Sequence, residues 1–184
     1  TKYNEEFAVK RVVNNKVTSS EFGALTCLNH PYIIKLYEFF DEEDSQYFVM
    51  EYCPNGSFLK KGQLDFNSFK YYAQQILEAM AFCHSNKIAH RDIKPYNIFI
   101  DKYGHAKIAD FGFAKEFSSS LKSSERCGSL MYFAPEVLND STFNPFQADI
   151  WALGVTFYYM ATGKFPYSSH SIDILEQSVM LGLS

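Results

Sequence analysis

His90–Ile100, HRDIKPYNIFI, is the stretch whose reading decides the fold. Within eight residues it sets a carboxylate (Asp92), an ammonium (Lys94) and a carboxamide (Asn97), and then enters a β-branched run. Phosphoryl transfer asks a protein for three things in one place. It needs an acid that takes a hydroxyl proton, a cation that faces a phosphate, and an oxygen ligand for a divalent metal. Asp92, Lys94 and Asn97 offer those groups in that order.

Outward from this segment, punctuation and periodicity divide the chain. Toward the N-terminus, Phe7–Val13 reads as a short strand and Val17–Asn29 as a helix, with Phe22, Leu25 and Leu28 at helical spacing. His30-Pro31 ends that helix, because proline disfavours helix in the residue before it. Ile33–Phe40 and Gln46–Tyr52 are expected strands around the acidic turn Asp41–Asp44. Pro54-Asn55-Gly56 then separates a mainly β part from a mainly helical part. Phe66–Ser85 is the clearest helix, with Phe69, Tyr72, Ala73, Ile76, Leu77, Met80 and Cys83 on one face. Asn97–Ile100 and Ala106–Ala109 flank a hairpin turn at Asp101–Gly104. Phe111–Glu136 has little periodicity and six serines between Ser118 and Ser129, so a long loop of functional type is expected there. Ala148–Thr162 reads as a buried helix.

Composition bounds the function. The 184 residues are 47% apolar and 21% charged, which is globular rather than disordered. The 18 Phe and 13 Tyr read as core and groove residues. Net charge is −4 with no basic cluster, so no nucleic-acid partner is expected. Ile150–Ala161 is too short to span a bilayer, so no membrane partner is expected either. Cys27, Cys53, Cys83 and Cys127 lack zinc or redox spacing and read as reduced thiols. A cytoplasmic location follows, with the nucleus left open.

Six motifs occur in one order: Lys10 in Ala8-Val9-Lys10, Glu21 in the first helix, His90-Arg91-Asp92 with Lys94 and Asn97, Asp110-Phe111-Gly112, Ala134-Pro135-Glu136, and Asp149-x-Trp151-x-x-Gly154. In that order they resemble the protein kinase family, from about Glu6 to the end of the chain. The resemblance implies an α+β, bilobal fold, with residues 1–52 as a small β-rich N-lobe with one helix and 53–184 as a mainly helical C-lobe. It also implies a glycine-rich phosphate loop lying farther before Lys10 than the nine residues present here, and further helices after the last residue. On that reading the sequence is the middle of a kinase domain, and in isolation it would bind ATP weakly and transfer little phosphate.

Carried over residue by residue, Lys10 pairs with the α- and β-phosphates of ATP and is held by Glu21. Asp92 takes the proton of the substrate hydroxyl, Lys94 neutralises the transferring phosphoryl group, and Asn97 and Asp110 hold Mg²⁺. The adenine lies between Ala8 and Phe99, bonded to backbone groups of Glu51 and Cys53, with Met50 as gatekeeper. Leu25, Leu36, His90 and Phe111 stack as a hydrophobic spine anchored by Asp149.

Lys94, and Cys127-Gly128-Ser129 ahead of Ala134-Pro135-Glu136, resemble the serine/threonine type, in particular the calcium/calmodulin-dependent and AMP-activated group. The implied partner is a protein substrate with a Ser or Thr acceptor, and the implied contact is Ser129 on Asp92 and Lys94. Where that group carries an activating phosphothreonine this chain has Glu125, expected to pair with Arg91; Ser123 or Ser124 is the expected target of an upstream kinase. Tyr96, Ser57 and Tyr159 stand where basophilic relatives carry acids, which implies no strong preference for arginine in the substrate. A nucleotide-binding scaffold of the pseudokinase kind, an inactive kinase fragment and a small-molecule phosphotransferase stand as alternatives. The long loop ending at Glu136 favours a protein substrate over a small one.

Overall fold

Strand β1 (Phe7–Val13) lays its small and reaching residues inward and its bulkiest outward, a choice set by what lies beneath it. Ala8, Lys10 and Val12 are half-buried, whereas Phe7, Val9 and Val13 are exposed. A cavity under the sheet needs a short side chain and a lysine, so the period-2 alternation is kept with the apolar face turned out. The computed structural model describes residues 5–13, 18–118, 121–167 and 177–179.

Helix α1 (Thr18–Cys27) follows, then β2 (Leu36–Glu42) and β3 (Ser45–Glu51), giving an antiparallel sheet in the order β1-β3-β2. The expected helix start at Val17 lies outside the described residues. The second strand begins three residues later than Ile33 and runs two past Phe40, with a bulge between Leu36 and Glu38. The cause is competition for backbone bonds: Ile34 N–H donates to Ile108 O at 2.8 Å, and Ile108 N–H donates to Tyr32 O at 2.9 Å. Residues 32–34 are therefore tied to the second lobe and cannot join the sheet of the first. The acidic turn shrinks to Glu43-Asp44, with Glu43 at φ 52°.

Helix α2 (Phe66–Ser85) starts at Asp65, whose Oδ1 accepts from the N–H groups of Asn67 and Ser68 at 3.0 and 3.1 Å. Such a cap is worth about 1 kcal/mol. Ala73, Ile76, Ala79, Met80 and Cys83 are buried. Leu77, expected on that face, is 48% exposed. At about 100° per residue it lies a quarter-turn from Ile76 at the centre of the stripe. Gln75, at the opposite margin, is buried because its Oε1 accepts from Ala106 N–H at 2.7 Å.

Four short strands come next: β4 (Ile88–Ala89), β5 (Ile98–Ile100), β6 (Ala106–Ile108) and β7 (Lys115–Glu116). β4 pairs with β7 and β5 with β6, each antiparallel. Asp101 Oδ1 shapes the hairpin by accepting from Tyr103 and His105 N–H at 2.8 Å each. The long segment after Phe111 is more ordered than its composition implies. It holds two 3-10 turns and a two-residue bridge of Ser123 to Phe143, and ends in α3 (Pro135–Asn139).

Helix α4 (Pro145–Thr162) begins three residues before Ala148, where Asn144 caps Phe146 N–H and Pro145 takes the first turn. It is not buried all round: Asp149, Ala152, Leu153, Val155, Thr156 and Met160 face inward, but Ile150 is 55% and Tyr158 42% exposed. The main core, built on Phe48, Phe58, Phe111, Met80 and Ile98, runs from the sheet through α2 and α4, and Ala134, Val137 and Phe143 form a smaller cluster beside it. The result is a small sheet lobe with one helix over a mainly helical lobe, the bilobal α+β fold.

Candidate active site

Asp149, 1% exposed at the start of α4, holds the segment that carries Asp92. Its Oδ2 accepts from His90 N–H at 2.8 Å and its Oδ1 from Arg91 N–H at 2.7 Å. Those two bonds fix Arg91 in a left-handed conformation, φ 65°. His84 Nε2 lies 3.0 Å from the same carboxylate, a partner that no sequence motif marks.

His90 is fully buried, and its partners define its tautomer. Nε2 faces the carbonyl of Ala109 at 3.1 Å and so carries the hydrogen; Nδ1 accepts from Asp92 N–H at 3.3 Å. Burial pushes its pKa below the ordinary histidine value, which keeps the ring neutral. The ring packs on Phe111 at 4.7 Å.

Asp92 is 5% exposed, and three donors hold its carboxylate. Ser129 Oγ donates to Oδ1 at 2.9 Å; Lys94 Nζ and Asn97 Nδ2 donate to Oδ2 at 2.7 and 2.9 Å. Lys94 Nζ is also 2.7 Å from Ser129 Oγ. The expected contact of Ser129 with both residues is present. Gly128 makes it geometrically feasible: at φ 96° its Cα sits so close to the Arg91 carbonyl that a Cβ would lie 2.4 Å from that oxygen.

Across the cleft, Lys10 Nζ contacts Glu21 Oε1 at 2.9 Å and Asp110 Oδ1 at 2.7 Å. Burial works against the lysine's charge, but the bonds from Asp110 and Glu21 outweigh it and raise its pKa above the ordinary value. Burial raises Glu21, whose side chain is 1% exposed. Burial also opposes ionisation of Asp110, yet Lys10 holds that carboxyl below its ordinary range. Asp110 adopts φ 61° as it turns into the 3-10 turn Phe111–Phe113.

A cavity of about 310 Å³ opens between the lobes. Ala8 and Lys10 from β1, Glu21 from α1, and Met50, Glu51 and Cys53 from the strand end and linker line it from one side. Asn97, Phe99 and Asp110 line it from the other. Ile34, Tyr52, Tyr96 and Ala109 complete the wall and were not anticipated there. Asp92 and Lys94 lie beyond Asn97, on the Ser129 side, outside this cavity. Burial pushes the Cys53 thiol up to about 12, so it is a wall group and not a nucleophile.

Two cations escaped the sequence reading because nothing in their local pattern marks them. Lys107 Nζ pairs with Glu51 Oε2 at 2.9 Å and backs the linker from behind the cavity. Lys115 joins Arg91 on Glu125, at 3.2 and 2.8 Å. Those two bonds pull the Glu125 carboxyl below its ordinary value. Ser123 is 7% exposed, and its Oγ accepts from Glu125 N–H at 3.1 Å; Ser124 is exposed. All four cysteines are free thiols. No helix among the described residues is long and apolar enough to cross a membrane.

The family described as "Protein kinase domain" matches residues 1–182. The chain is 39% identical to "Serine/threonine-protein kinase PKH2" of Saccharomyces cerevisiae over 96% of its length, covering 18% of that protein. It is 37% identical to "Serine/threonine-protein kinase SIK2" of Gallus gallus over 88% of its length, covering 21% of that protein. Identity to "CBL-interacting protein kinase 1" of Oryza sativa subsp. japonica is 32% over 96% of the chain and 41% of that protein. The chain thus spans less than half the length of these relatives.

Proposed function

The chain belongs to the protein kinase family, and from that premise we propose that it serves transfer of the γ-phosphoryl group of ATP to Ser or Thr hydroxyls of protein substrates. The observation that carries this reading is Asp92, a buried carboxylate held by Lys94, Asn97 and Ser129 beside a cleft in which Lys10 meets Asp110. A preset group of this kind costs no reorganisation during the reaction.

In this proposal Asp92 accepts the proton of the substrate hydroxyl as the hydroxyl oxygen bonds to the γ-phosphorus, while the bond from that phosphorus to the bridging oxygen breaks and ADP leaves. Lys94, 2.7 Å from Asp92, faces the phosphoryl group in flight. Lys10 binds the phosphates farther from the transfer point, oriented by Glu21. Adenine occupies the cavity between Ala8 and Phe99 and bonds to backbone groups of Glu51 and Cys53, whose position Lys107 supports from behind. The lobe boundary falls between Tyr52 and Cys53, just after β3 ends at Glu51.

The family uses ATP with Mg²⁺, and the residues present fit that ion. Asn97 uses its amide nitrogen on Asp92, and Asp110 uses Oδ1 on Lys10. This leaves an amide oxygen and a carboxylate oxygen on the wall of one cavity, the hard donors magnesium prefers. No group of three or more His, Cys, Asp or Glu among the described residues could hold a metal alone, which fits an ion shared with phosphate oxygens. Bound there, the ion would offset the phosphate charge.

Ser124, exposed beside Glu125, is the better target of an upstream kinase than the buried Ser123. The test of the whole reading is phosphate transfer by the intact protein with Mg-ATP and a mixed protein substrate, beside Asp92→Asn. Transfer lowered by roughly 10²–10⁴-fold in the variant is expected, the range for loss of a positioned base. Transfer that survives unchanged would overturn the role of Asp92.

A further inference from the structure

The outer face of the β1-β3-β2 sheet is apolar. Its inner face belongs to the core, where Phe48 is wholly buried and Phe39 packs on Phe48 and on Phe22 of α1, with ring centroids 5.0 and 4.7 Å apart. On the outer face, the register sets Val9 beside Val49, and Tyr47 between Arg11 and Phe40. Cross-strand partners share a face, so these side chains are neighbours. Phe40 stacks on Tyr47 at 5.1 Å, and Phe7 meets Tyr37 edge-on at 5.2 Å. Val9, in the middle of β1, is 59% exposed, and Tyr37 is 51% exposed. Single exposed apolar residues are ordinary; a contiguous set on one sheet face marks a binding surface.

The rim of this face is acidic. Residues 38–44 carry Glu38, Asp41, Glu42, Glu43 and Asp44 and no Lys or Arg. Glu5 and Glu6 lie at the other end of the sheet, just before Phe7. All of these acids are exposed, and none is in an ion pair among the described residues. The cations nearby are already engaged: Arg11 Nε donates to Ser45 Oγ at 3.0 Å, and Lys35 Nζ lies 5.1 Å from the centre of the Tyr37 ring.

We propose that this face docks a basic amphipathic helix of another polypeptide, with apolar residues along the sheet and Lys or Arg over the acidic rim. A sheet that is apolar on both faces takes a packed layer on each, and a helix supplies one while satisfying its own backbone bonds. Charge selects the occupant. Unpaired carboxylates complement cations, and they repel nucleic acid, an anionic membrane and the same face of a second copy. The inference lies outside the cleft and is independent of the phosphate-transfer reading.

The experiment adds to the intact protein a fluorescein-labelled peptide of about five helical turns, with Leu along one face and Lys on the other. Its anisotropy reports binding, and amide exchange maps the site. Two control peptides carry Glu in place of Lys, or the same Leu and Lys scrambled so that no apolar stripe forms. The expected result is saturable binding that protects β1, β2 and β3, with affinity roughly ten-fold above either control. Val9→Ser and Glu42→Lys, whose unfolding should stay close to that of the parent, should each weaken binding by roughly three- to ten-fold. The effect of Glu42→Lys should shrink at high salt. No saturable binding to the intact protein, whether the face is bare or covered by another part of the same protein, would overturn the proposal. Equal binding of the Glu peptide, or binding that both variants leave unchanged, would overturn it as well.

Discussion

Lys10 Nζ lies 2.7 Å from Asp110 Oδ1, although the two residues are 100 positions apart, and the same ammonium reaches Glu21 at 2.9 Å. One cation therefore serves two carboxylates from opposite lobes, one of them wholly enclosed. Lys10→Met should abolish transfer and leave Glu21 buried without its counter-charge. Glu21 will then take up a proton, at a cost of about 1–3 kcal/mol once the one-third exposure of Lys10 is allowed for. The double variant with Glu21→Gln should recover most of the lost Tm and none of the activity. Thermal unfolding beside a transfer assay checks this; a double variant no more stable than the single would show that the ion pair is not the cause.

Glu125 gives a second prediction, on the loop that carries Ser129. Its carboxylate is bonded by Arg91 and Lys115, which lower its pKa, so it is ionised throughout the neutral range. The side chain is more than half exposed, and a pair of this kind supplies ~0–1 kcal/mol. Locking a loop takes about 5.5 kcal/mol, so Glu125 biases the loop without fixing it. Glu125→Ala should lower basal activity roughly two- to five-fold, and the difference should shrink at high ionic strength. Equal activity of variant and parent at low salt would mark Glu125 as a solvated loop charge.

The residues that meet at the cleft were legible in the sequence because each sits in a short motif of recognisable type. Asp92, Asn97, Asp110 and Lys10 could all be named before their distances were known. Elements whose periodicity is satisfied within one lobe were also legible: β1 and α2 have the expected bounds. The misreadings arise where distant backbone intervenes. Residues 32–34 look like a strand start, but Ile108 takes their hydrogen bonds. Leu77 and Ile150 look like core, but a helix against one neighbour has a wet side. Lys107 and Lys115 were invisible because their partners, Glu51 and Glu125, come from other parts of the chain.

Gly128 is the position where a single methyl group should do the most damage. At φ 96° an L side chain is strained, and its Cβ would stand 2.4 Å from the Arg91 carbonyl and 3.3 Å from Asp92 Oδ1. The neighbour at 2.4 Å is backbone already held by Asp149, so the loop must move. A displacement near 1 Å at the reacting groups costs about 10²-fold in rate. Gly128→Ala should therefore lower kcat by that order while nucleotide affinity, set in a cavity Gly128 does not line, stays within about two-fold. Gly154→Ala is the contrast: in the middle of α4, with nothing within 4 Å of a new Cβ, it should stabilise by roughly 0.5–1 kcal/mol. Steady-state kinetics and unfolding of the two variants separate a loop collision from a general cost of added bulk.

The buried imidazole of His90 predicts how stability depends on pH. Burial lowers its native pKa, whereas in the unfolded chain it titrates near ~6.5. Below that value the unfolded state binds a proton that the native ring, with Nε2 on Ala109 and Nδ1 taken by Asp92 N–H, does not. The unfolded state then holds more protons, so stability falls as pH falls, by up to ~1.4 kcal/mol per pH unit for this group, until the lowered native pKa is reached. Above ~6.5 both states are neutral and the contribution is flat. His30, also lowered by burial, adds in the same direction. Urea unfolding between pH 5 and 8 should show this slope in the parent protein and a shallower one in His90→Gln, whatever the variant's absolute stability. Equal slopes in the two proteins would mean that His90 already carries a proton in the native state.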